Sequence, residues 1–197
     1  MSASLFNKYV YKRIGAILLA ATTAASATTL DLTTGKTNVP FAGALFTSGT
    51  NTANVGTGVF GTFVQVGGGN QAVTQAYNTT VNNVLDNGRS NNFNHQINYL
   101  DVSIVIATDP LTNTPTAYRQ FNLDTNEPNS AANRYLSVDD IEIYISNTAN
   151  QIADLGANLN PNISNVKIYD LDRGVANSVD NNILLNDSLN SGSGSGI

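Results

Sequence analysis

The chain contains no cysteine, so disulfides, thiolate nucleophiles, thiolate zinc sites and thioether-linked haem are all excluded. A small domain from an oxidising compartment usually needs disulfides, but that need falls as the core grows. A domain of about 150 residues buries roughly two-thirds of its unfolded surface and can do without them. Histidine is almost as scarce. His95 stands alone, too few for the usual zinc sites once cysteine is absent. There is no G-x-S-x-G elbow to make a Ser-His-Asp triad of it. Tryptophan is missing and methionine occurs once, although eight Tyr and seven Phe remain. Positive charge is thin, with nine Lys and Arg against 14 Asp and Glu.

Three of those nine basic residues, Lys8, Lys12 and Arg13, sit at the start of the chain. They precede a short uncharged apolar run over residues 14–21, followed by Ala25-Ser26-Ala27. That order is the order of a secretory signal peptide, with cleavage predicted after Ala27. The run is too short to span a bilayer, and the mature part is expected to carry no membrane span. Cleavage leaves six basic residues against 14 acidic ones, a net charge of −8. The six (Lys36, Arg89, Arg119, Arg134, Lys167 and Arg173) are scattered, which argues against a nucleic-acid partner.

The predicted mature chain, residues 28–197, is rich in Thr, Asn, Ser and Gly, which form strands and turns rather than helices. Strands are predicted near 41–46, 58–66, 93–107, 117–123, 135–146, 166–171 and 183–185. Between them lie turn clusters such as Gly67-Gly68-Gly69-Asn70, Asp86-Asn87-Gly88, Asp109-Pro110 and Asn126-Glu127-Pro128-Asn129. One helical turn fits at most, within 151–159. The clearest alternation sets Leu100, Val102, Ile104 and Ile106 against Asp101, Ser103 and Val105, predicting one buried and one solvated face. Along 135–146 the apolar parity slips at Asp139-Asp140, from Leu136 and Val138 to Ile141, Ile143 and Ile145. Either a β-bulge or a strand that ends and restarts produces that slip. The fold class expected is all-β, an antiparallel, jelly-roll-like β-sandwich.

Ordered blocks along the chain carry a family resemblance. They are Gly56-Thr57-Gly58-Val59-Phe60, Phe63-Val64-Gln65-Val66, Ala76-Tyr77-Asn78-Thr79 and Tyr118-Arg119-Gln120-Phe121-Asn122-Leu123-Asp124. Residues 135–144 (YLSVDDIEIY), Ile168-Tyr169-Asp170-Leu171-Asp172 and residues 186–196 (NDSLNSGSGSG) complete the set. Together they resemble exported β-sandwich proteins of Gram-negative biofilm formers that end in a PEP-CTERM sorting signal. The resemblance implies a surface or matrix destination and no particular activity. In similar proteins the Gly-Ser repeat runs on into a further strand and the sorting tail, whereas here Ile197 follows Gly196. The expectation is therefore a sandwich lacking its last strand.

Chemistry in the chain rests on its oxygens. Calcium takes six to eight of them from carboxylates, amides and carbonyls. Asp124 and Glu127 offer such a mix in a loop, and Asp170 and Asp172 offer two carboxylates on one strand face. The plainer reading is solvated acidic turns with local side-chain-to-backbone bonds. Paired carboxylates such as Asp139-Asp140 admit a glycoside hydrolase by composition alone. Tyr77, Tyr118 and Tyr144 are candidates for a saccharide groove, against the commoner use of strand tyrosines as core with the hydroxyl at the rim. The function expected is a non-catalytic secreted or cell-surface structural protein, with exopolysaccharide or other surface proteins as partners. A carbohydrate-binding module, assisted by calcium, is the runner-up; a hydrolase is third.

Overall fold

A computed structural model of the chain describes residues 27–49, 61–65, 73–80, 85–86, 93–125, 134–145, 166–172 and 179–189. Nine strands lie among them: β1 (Thr29–Asp31), β2 (Val39–Phe41), β3 (Ala44–Phe46), β4 (Ile104–Asp109), β5 (Thr114–Arg119), β6 (Tyr135–Val138), β7 (Glu142–Ile145), β8 (Val166–Asp170) and β9 (Asn182–Asn186). Single 3-10 turns occur at Tyr99–Asp101 and Asp187–Leu189, and there is no α-helix among the described residues. The strands form one three-stranded sheet in the order β1-β9-β6 and three two-stranded ribbons, β2-β3, β4-β5 and β7-β8. The chain is thus strand-rich and all-β, built of small sheets. No helix among the described residues is long and apolar enough to cross a membrane.

The core gathers on the three-stranded sheet. Leu30 of β1 and Ile183 and Leu185 of β9 are buried together with Leu32, Phe46 and Leu171. Val39 and Phe41 of β2, Leu136 and Val138 of β6, Ile141 and Tyr169 pack against them. Alternation explains the choice along β9: Ile183 and Leu185 point inward, while Asn182, Leu184 and Asn186 stay half-buried. β9 is the middle strand, paired with β6 on one side and with β1 on the other. In the structure the outer strands of the sheet are β1 and β6.

Other expectations change in instructive ways. The β1–β9 pair is parallel, so the architecture is not purely antiparallel. The segment predicted as one strand over 41–46 is the second half of a hairpin. Ala42 and Gly43 turn it with φ of 45° and 83°, the double positive φ of a type I′ turn. Residues 135–146 break at the parity slip. β6 pairs with β9 and β7 pairs with β8, so the strand ends and restarts in another sheet. Residues 61–65, predicted as strand, carry no regular pairing. The remainder of 58–66, the turns at 67–70 and 126–129, the possible helical turn at 151–159 and the Gly-Ser tail lie outside the described residues.

The largest correction concerns β4. Val102 is buried at 8% exposure, but Ile104 and Ile106 are 58% and 69% exposed. The odd positions Val105 and Ala107 are the half-buried ones, as are Tyr118 and Thr116 opposite them on β5. Periodicity fixes which residues share a face, but not which face meets the body of the protein. The turn signal did hold. Asp109 closes the hairpin, its Oδ1 accepting from Leu111 N at 2.8 Å and its carbonyl accepting from Asn113 N at 2.7 Å.

Candidate functional site

Among the described residues, the densest titratable cluster forms on the β7–β8 ribbon. Antiparallel register sets Glu142 directly across from Asp170, and two like charges so placed repel. The register shift that follows brings Lys167 opposite Tyr144. Lys167 Nζ then reaches both acids, donating to Asp170 Oδ2 at 2.9 Å and to Glu142 Oε1. Tyr144 Oη donates to the other Glu142 oxygen at 2.7 Å, and the Lys167 ammonium lies 5.5 Å from the Tyr144 ring centre.

A third acid arrives where β6 has ended and β7 has not begun. Asp140, Glu142 and Asp170 each place a carboxylate oxygen within 4.8 Å of the others. Desolvation, together with repulsion from Glu142, Asp172 and Asp170, pushes the Asp140 carboxyl up to about 6. Burial works to lower the Lys167 ammonium, but its bonds to Glu142 and Asp170 outweigh that and the net shift is upward. Burial and the bond to Glu142 raise the Tyr144 phenol to about 12. Tyr169, on β8 next to Asp170, is also raised to about 12 by burial and the charges of Asp170 and Asp172. The cluster carries more negative charge than one lysine neutralises, an arrangement whose chemistry suits a cation.

The residues predicted for calcium are thus divided. Asp170 belongs to the cluster. Asp172 does not; its Oδ1 accepts from Asn181 N at 2.7 Å and its own N–H donates to Asp170 Oδ1 at 2.9 Å. Asn181 in turn donates from Nδ2 to Leu171 O at 2.7 Å. Asp172 therefore ties the end of β8 to the start of β9. Asp124 lies outside the group as well, beside Thr125, whose hydroxyl donates to the buried Asp187 at 2.6 Å. Glu127 falls outside the described residues. Sequence reasoning missed Asp140 and Glu142 as partners of Asp170. The parity slip at Asp139-Asp140 was the available signal, since it marks where the chain leaves one sheet for the next.

The tyrosines named for a saccharide groove lie on three separate segments. Tyr77 lies in the loop over 73–80, Tyr118 on β5 and Tyr144 on β7, and all three are half-buried. His95 is occupied locally: its ring Nδ1 pairs with Gln96 O at 2.9 Å and its backbone N–H donates to Phe63 O at 3.0 Å. The neighbouring Asn94 is buried and accepts from Gln65 N at 2.7 Å. No protein-family model, no curated protein and no solved structure matches the chain.

Proposed function

We propose that this chain is a non-catalytic, exported structural protein of the bacterial surface or extracellular matrix, associated with exopolysaccharide or with other surface proteins. In this reading its small sheets belong to a jelly-roll-like β-sandwich. The predicted leader over 1–27 and the ordered blocks that resemble those of sorted surface proteins support export. The observation that carries the structural role is what the strands turn outward. Ile104, Ile106 and Thr108 face solvent on β4, whereas the three candidate tyrosines are half-buried on separate elements. A sugar site built on stacking needs aromatic rings gathered and exposed; a scaffold does not.

The second reading, a calcium-assisted carbohydrate-binding module, draws on the Asp140–Glu142–Asp170 cluster. A glycan array probed with the exported chain, in millimolar calcium and in chelator, separates the two. The structural reading expects no selective glycan in either condition. Selective binding that disappears with chelator would replace it with the second.

A further inference from the structure

The β4–β5 ribbon turns outward a face with two unlike rows. Cross-strand partners share a face in an antiparallel pair, so the outward set is Ile104, Ile106 and Thr108 on β4 with Arg119, Ala117 and Pro115 on β5. The β4 row is bulky and β-branched, whereas its β5 neighbours at the middle and the hairpin end are small. None of these six residues carries a carboxylate. Their one charge, Arg119, is already held, with its guanidinium 4.4 Å over the Tyr99 ring and Nη1 donating to Val102 O at 2.5 Å.

Leu100 and Leu111 mark the two ends of the ribbon, 75% and 86% exposed. Together with Ile104 and Ile106, which are 58% and 69% exposed, they leave on the order of 500 Å² of apolar side chain open along and beside the ribbon. A standard interface takes about 800 Å² from each partner; the exposed Thr108, Pro115 and Ala117 extend the apolar strip between the two leucines toward a small interface of that kind. The chain as a whole is acidic, at −5, so two copies repel over most of their surfaces. The six outward residues of the two strands add no acid to that repulsion.

We infer that the β4–β5 face is the contact surface for a second copy of this chain, in a two-fold, face-to-face pair of ribbons. A two-fold axis running along the strands lays β4 of each copy over β5 of the other. The partner's Ile106 then sits on Ala117, the partner's Ile104 on the Arg119 stem, and each bulky row fills the other's low row. Such a contact is isologous and closes at two copies, with the packing of two sheet faces about 10 Å apart. The inference goes beyond the structural role, since pairing can fail while export and surface location stand.

Sedimentation velocity on the exported chain over roughly 1–100 µM tests it. Two variants accompany the wild type. Ile106→Thr keeps a β-branched strand residue but removes the knob, and Ala117→Ile fills the low row. The expected result is a reversible dimer weakened about tenfold or more by each variant, with the melting temperature at the lowest concentration unchanged. Ala117→Ile adds apolar surface, so non-specific stickiness predicts tighter association and seated packing predicts weaker. A monomer at every concentration overturns the inference. So does a dimer that neither variant weakens, or one that Ala117→Ile tightens. A monomeric wild type that Ile106→Thr destabilises would show the face covered by the chain's own residues, which also overturns it. Should one variant fail to fold, the other decides.

Discussion

Lys167 holds two carboxylates that strand register would otherwise leave facing one another, and Asp140 adds a third acid that this lysine does not hold. An acid whose folded pKa lies above its unfolded value weakens the fold as it ionises. Asp140 moves from 3.8 to about 6, so stability falls as pH rises from about 3.8 through about 6, and the penalty is complete above that. Asp140→Asn should therefore raise the denaturation midpoint at about pH 7.5 and change it little at about pH 4. Asp140 is exposed and water screens its repulsion, so a gain of about 1 kcal/mol is expected rather than the ~3 kcal/mol of the full shift. Paired urea titrations at the two pH values measure it. Lys167→Met removes the one cation from the cluster. It should cost about 1 kcal/mol in chelator, and millimolar calcium should restore more melting temperature to this variant than to the wild type, since a ligand bound only by the native state stabilises it. Equal calcium response in both proteins would mean that the three carboxylates do not act together. Of these residues, Asp170 was legible as a candidate from its spacing to Asp172. Asp140 and Glu142 were not, because their meeting with Asp170 depends on which strand β7 chooses, and a tertiary choice of that kind leaves no local pattern.

Elements show the same division between what is local and what is not. Turn chemistry was readable at Asp109-Pro110, because an Asp side chain caps its own turn whatever surrounds it. The parity slip at Asp139-Asp140 was readable as a break, and only pairing could tell a bulge from a restart. β1 escaped notice, since its three residues are too few to show a period and gain their identity from lying beside β9. The face of β4 was assigned the wrong way round, because alternation has no sign until a neighbour covers one side. The β2–β3 turn offers a direct test at this scale. Ala42 adopts φ of 45° and Gly43 φ of 83°, where a side chain is strained and glycine is not. Gly43→Ala should lower stability by about 1 kcal/mol, and Ala42→Asn should raise it by a few tenths, since asparagine tolerates the left-handed region. Thermal melts of the two variants should move in opposite directions; movement in the same direction would contradict the type I′ turn.

For the whole molecule, the segments on which everything converges are far apart in the chain. β1 and β9 lie parallel, Leu30 beside Ile183, and Asn182 N donates to Thr28 O at 3.2 Å. Pairing of such distant segments makes folding slow and the core dependent on both at once. It also sets ordered structure immediately after the predicted cleavage point. Thr28 N donates to Asn181 Oδ1 at 3.2 Å, a bond that a free α-ammonium on Thr28 could keep or strengthen. Export with removal of residues 1–27 is thus compatible with the sheet and is the claim on which the surface role depends. N-terminal sequencing of the chain from the medium and surface fractions of an exporting Gram-negative host tests it most directly. The account predicts a chain that begins at Thr28 and is found outside the cytoplasm; an intact chain beginning at Met1, confined to the cytoplasm or the inner membrane, would contradict it.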